Sequence, residues 1–110
     1  MKVSRHKNHV LIKSEDENWT EFLLAIRDAA EEHQQDNIVL DLTPYEPITL
    51  HELLKLLPFS DAHRAGKHSF VIIDASLPTD EYPDELAVVP TYQEAVDVVE
   101  MEDIERDLGF

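Results

Sequence analysis

From Trp19 onward the apolar residues fall at Trp19, Phe22, Leu23, Ile26, Ala29 and Ala30, the spacing of one face of an α-helix. Asn18, followed three residues later by Glu21, supplies the reciprocal side-chain-to-backbone bonds of a capping box, so the pattern predicts a helix over about residues 19–34. Shorter apolar runs carry a different signal. Val3 and His9-Val10-Leu11-Ile12 read as two short strands around a polar turn at Lys7-Asn8, an opening hairpin. Ile38-Val39-Leu40-Asp41-Leu42 is short, β-branched and mostly apolar, as a buried central strand is, and Ser69-Phe70-Val71-Ile72-Ile73 reads as a further strand. Thr49 and Glu52 form a second capping box before Leu53, Leu54, Leu56 and Leu57. Pro58 is expected to kink or end the helix that starts there, with a further turn over 60–65 closed by Gly66. After an acidic, proline-bearing loop, Leu86-Ala87-Val88-Val89 reads as a last strand. Thr91 with Glu94 caps a terminal helix whose buried stripe is Ala95, Val96 and Val99, and helical packing is expected to continue through Met101, Ile104 and Leu108.

Strands alternating with helices over these distances predict an α/β fold: a mixed, largely parallel sheet of about four to five strands, opened by an N-terminal hairpin, with helices packed on it. The chain's 110 residues suffice for one domain spanning 1–110. Charge changes the functional picture more than the fold. Asp and Glu number 24 against 9 Lys and Arg, a net charge of -15. Residues 1–67 hold 8 basic and 12 acidic side chains (-4), and residues 68–110 hold 1 and 12 (-11). That field repels phosphate backbones and anionic lipid, which excludes nucleic acid and membrane surfaces as expected partners. The absence of cysteine removes disulfides, thiol nucleophiles and thiolate metal sites. No apolar leader or membrane-spanning run occurs, and the expected location is the cytoplasm.

Candidate chemistry is sparse. His51-Glu52-Leu53-Leu54-Lys55 begins like a zincin helix, but Lys55 stands where a second imidazole must share the helical face. The other histidines show no ligand spacing, the carboxylates are dense without being paired across a cleft, and no serine has a glycine-flanked nucleophile elbow. Two isolated glycines cannot build a phosphate loop. The expectation is therefore no catalytic residue, no metal and no cofactor. Tyr45, Tyr82 and Tyr92 sit in loops and strand ends, where a tyrosine serves either as an anchor or as an exposed contact.

The stretch Ile38 to Leu42, the loop to Thr49, the leucine-rich helix to Gly66 and the strand Phe70 to Ile73 resemble the centre of STAS domains, the anti-anti-sigma factor family. Val88-Val89-Pro90-Thr91-Tyr92-Gln93-Glu94-Ala95 looks like that family's last strand and following helix. The resemblance implies a regulatory protein-interaction module docking a protein partner, a kinase/anti-sigma-type or other regulatory protein, through Tyr45, Glu46, Pro47, Thr49, His51 and Glu52. The family's phosphorylated serine motif would fall on Thr49-Leu50-His51-Glu52, where no serine stands. Thr49 is the nearest hydroxyl and the one candidate phosphorylation site, although its capping role is enough to explain it. The usual phosphorylation switch is therefore not expected. Two alternatives stay open: a small metal-assisted or acid–base hydrolase using His51 and Glu52, and a structural subunit of a larger assembly or a homodimer, completed through the acidic C-terminal face or through Ile104, Leu108 and Phe110.

Overall fold

The computed structural model describes residues 1–109. Five strands form one sheet in the order β1-β2-β3-β4-β5: β1 Lys2–Arg5, β2 Val10–Lys13, β3 Ile38–Asp41, β4 Phe70–Ile73 and β5 Ala87–Val89. β1 runs antiparallel to β2, with Arg5 opposite Val10, and all later pairs are parallel, with Ile38 opposite Val10 and Phe70 opposite Ile38. This is the mixed, largely parallel sheet with an opening hairpin that the pattern predicts. β3 and β4 lie at its centre, and the residues Ile38, Val39, Leu40 and Phe70 to Ile73 are buried on both faces. An unbroken apolar run suits a strand covered from both sides, because no position faces water.

Helices cover both faces. α1 (Trp19–Glu32) connects β2 to β3, and α2 (Leu50–Leu54) with α3 (Leu57–Ala65) connects β3 to β4. These pack on one face, where Val10, Ile12, Ile38, Leu40, Phe70 and Ile72 meet Phe22, Ile26, Ala29, Leu53 and Leu56. α4 (Tyr92–Asp107) covers the other face, with Ala95 and Val99 against Val39, Val71 and Ile73. Its lower half is tied to the strand ends by polar bonds. Asn37 donates to the Asn8 carbonyl and to Asp103, and accepts from the Ser69 backbone N–H and from Arg106. The Ser69 hydroxyl donates to Glu102 at 2.5 Å, and Arg64 donates to the same carboxylate at 3.1 Å.

Four local expectations are corrected. The helix expected to reach Pro58 ends at Leu54, and Pro58 instead sits in the first turn of α3. Proline clashes with the carbonyl four residues earlier, which here is that of Leu54, so its effect falls a turn upstream. Gly66 does close α3, but with φ of −80°, and the left-handed residue is Lys67 at φ 67°. The cap at Thr91 is half a box: its Oγ accepts from the Glu94 N–H, while the Glu94 carboxylate takes the Thr91 hydroxyl rather than the backbone N–H. Finally, α4 continues unbroken to Asp107, but Met101, Ile104 and Leu108 do not pack on the sheet.

Candidate functional site

The segment between β3 and α2, where the sequence places its partner-binding residues, is a stiff, laced loop. Asp41 at the end of β3 accepts from the Thr43 N–H at 2.9 Å and the Thr43 hydroxyl at 2.7 Å, which turns the chain into a 3-10 turn, Thr43–Tyr45. That turn swings Tyr45 back over α1. Its ring stacks on Phe22 at 5.1 Å and meets Trp19 edge-on at 5.4 Å, and its hydroxyl donates to the Glu17 carbonyl at 2.7 Å. Ser14 Oγ lies 2.6 Å from the same phenolic oxygen. Tyr45 thus holds the loop in place and offers little surface outward.

The following residues are tied to the end of β4. A cis peptide joins Glu46 to Pro47. Glu46 accepts from the Ala75 N–H at 2.8 Å, and the Ile48 N–H donates to Ser76 Oγ at 2.8 Å. Ser76 in turn donates through its hydroxyl and its N–H to Asp74, which is 1% exposed, and the Tyr82 hydroxyl adds a third donor to that carboxylate at 2.8 Å. Burial pushes the Tyr82 phenol above its ordinary range, with the Asp74 charge acting the same way. Asp74 is a buried carboxylate whose acceptor capacity is taken up by structural donors, the condition under which burying a charge is tolerated. Asp74 and Ser76 had no motif to announce them in the sequence.

Thr49 and Glu52 form the capping box that the spacing predicts. Glu52 N–H donates to Thr49 Oγ1 at 3.1 Å, and the Thr49 N–H and hydroxyl donate to Glu52 at 3.1 and 3.0 Å. Those bonds hold the Glu52 carboxyl below its ordinary range, with the Lys55 and His51 charges adding to the effect. What faces water on this edge is Glu46, Pro47, Thr49 and His51, joined by two leucines, Leu50 and Leu54, 40% and 41% exposed. The leucines were a readable signal: spaced four apart, they share one stripe of α2, beside the buried Leu53 rather than on it, and stay exposed.

Glu52 is committed to the cap, no bond joins it to His51, and among the described residues no three His, Asp or Glu side chains gather to hold a metal ion. A groove of about 390 Å³ lies elsewhere, between α1 and α3, bounded by Arg27, Ala30, Glu31, Phe59 and His63. Its lining has no hydroxyl, thiol or amine nucleophile, and His63 Nε2 donates at 2.6 Å to the Asp36 carbonyl. Phe110, one of the residues considered for assembly, lies outside the described residues. Among those described, no helix is long and apolar enough to cross a membrane.

Fold and edge together define an α/β domain with a mixed five-stranded sheet, helices on both faces and a rigid loop-to-helix corner at the end of its central strand. No protein-family model matches the chain, and no curated protein matches it.

Proposed function

We propose that this chain is a non-catalytic, STAS-like regulatory module of the bacterial cytoplasm. It docks a protein partner, of the anti-sigma type or another regulatory protein, through the corner from Glu46 to Leu54. The observation that carries this reading is the combination of internal saturation and outward apolar exposure on one short edge. Every capping and loop-bracing group is spent inside the molecule, while Leu50, Leu54, Pro47 and His51 remain free to be covered. A corner that needs no rearrangement loses little conformational entropy on binding. The absence of a serine at the helix start fits a partner held by occupancy rather than released by phosphorylation. A phosphate there would also lie beside the Glu52 carboxylate, and like charges repel.

The test is site-directed photo-crosslinking in cells of origin, with the reactive side chain at position 51 and, as control, at exposed Glu31 on α1. A discrete adduct from position 51 alone is expected, and Leu50→Ser with Leu54→Ser should abolish it while the melting profile stays that of the wild type. An identical adduct from both positions, or one indifferent to the leucines, rules the corner out as the docking site.

A further inference from the structure

α4 has two apolar faces, and its own sheet uses only one. Ala95 and Val99 are fully buried, and Glu102, Asp103 and Arg106 reach Asn37 and Ser69 from the same side. At 3.6 residues per turn, Met101, Ile104 and Leu108 point about 180° away from that face. They are 55%, 53% and 66% exposed. Their spacing of three and then four residues is the anchor spacing of a helix that packs lengthwise against another helix.

The residues beside this stripe decide what the other helix can be. If Met101, Ile104 and Leu108 are successive a, d and a positions of a heptad, the flanking e and g positions are Glu100, Glu105 and Asp107, all acidic and all exposed. A second copy of this helix would set carboxylate against carboxylate along both sides of the seam, on top of repulsion between chains of net charge -15. Self-association is therefore disfavoured by charge. An anionic bilayer is disfavoured by the same carboxylates.

We infer that the outer face of α4 is a docking seam for an amphipathic helix of another protein, one that places leucine-type residues against Met101, Ile104 and Leu108 and lysine or arginine against Glu100, Glu105 and Asp107. The seam is independent of the corner at α2, which lies on the opposite face of the sheet. The apolar anchors set affinity, and the acidic rows set the choice of partner and its orientation.

Three fluorescein-labelled heptad-repeat peptides test it by anisotropy against the intact chain: leucine at a and d with lysine at e and g, leucine with glutamate, and serine with lysine. The leucine–lysine peptide should bind, and the leucine–glutamate peptide should not. The serine–lysine peptide should bind at least about tenfold more weakly, because the apolar contact is missing. Ile104→Ser with Leu108→Ser, exposed changes that leave every charge in place, should impose a loss of the same size, with an unchanged circular dichroism spectrum. The seam is overturned if the leucine–lysine peptide fails to bind, if the variant or the serine–lysine peptide binds as tightly as the reference pair, or if sedimentation shows a dimer of this chain that the double variant dissolves.

Discussion

Thr49 illustrates how a single side chain at this corner is already occupied. Its oxygen accepts from the Glu52 N–H while its hydroxyl and backbone N–H both serve the Glu52 carboxylate. Thr49→Ala should cost about 1 kcal/mol, the usual penalty for losing an N-cap acceptor, and Thr49→Ser only a few tenths, as measured by urea unfolding. Equal stability of all three proteins would mean the cap does not hold the corner. At the other end of the sheet, the histidines make stability depend on acidity. Burial pushes His63 below its ordinary value, with His68 and Arg64 adding to the effect and the bond to the Asp36 carbonyl opposing it. His9 is lowered in the same way, by burial first and by His6 second. The unfolded chain therefore takes up these protons first as the solution is acidified. The stability tied to the neutral imidazoles is present above the ordinary value of 6.5 and lost as pH falls through and below it. Asp36 adds a separate window: the Arg5 guanidinium, with His33 assisting, holds its carboxyl at about 2 against an ordinary 3.8, so that contribution disappears only between those two values. His63→Gln keeps an amide N–H for the Asp36 carbonyl and cannot titrate. The drop in unfolding midpoint from about pH 7.5 to about pH 5.5 should shrink in this variant. An undiminished drop would assign the sensitivity to groups other than His63.

At the scale of elements, α4 makes opposite predictions for its two faces. Val99 is fully buried against Val71 and Ile73, and Val99→Ala should cost roughly 2 kcal/mol. Ile104→Ser, on the exposed side, should stay within about 0.5 kcal/mol of the wild type. Denaturant titration of the two variants separates the faces, and a large loss from Ile104→Ser would place that side chain inside the fold. The sequence made the existence of α4 plain through the Thr91 cap and the Ala95–Val99 spacing. What it left open was whether the helix runs unbroken past Val99; once α4 continues to Asp107, 3.6 residues per turn carries Met101, Ile104 and Leu108 to the side away from Ala95 and Val99. The central strands were legible for a complementary reason: a run such as Phe70 to Ile73 has no polar position to expose, and its shortness and β-branched residues favour a covered strand over a buried helix. The division between α2 and α3 was misplaced because proline acts on the carbonyl a turn before it, and a pattern of leucines at 53, 54, 56 and 57 bridges that gap without a mark. Of the candidate corner, the capping box was readable, since it is local. The bonds from Ile48 to Ser76 and from Glu46 to Ala75 join residues 28 and 29 positions apart, and no local pattern encodes such a meeting.

For the whole molecule, the dominant quantity is the surplus of 15 negative charges. The fold neutralises some acids locally: Arg5 with Asp36, Lys13 with Asp41, Arg64 with Glu102 and Arg106 with Asp103. With 24 acids and only 9 cations, one-to-one pairing still leaves most carboxylates without a cationic partner. Added salt weakens both the local pairs and the general repulsion. The exposed pairs contribute at most about 1 kcal/mol each, whereas the repulsion acts across the whole surface and favours the expanded chain. Screening should therefore stabilise this protein. Raising sodium chloride from about 0.05 M to about 0.5 M shortens the screening length severalfold, and the melting temperature should climb by about 4 °C or more, equivalent to roughly 1 kcal/mol for a domain of this size. Over the same range, association with the leucine–lysine peptide should slow, because the field that destabilises the fold is also what draws a basic helix toward α4. A melting temperature that falls with salt would mean that the local ion pairs, and not the unpaired surplus, govern the electrostatics. The same result would remove the basis for expecting a basic partner to be steered in at long range.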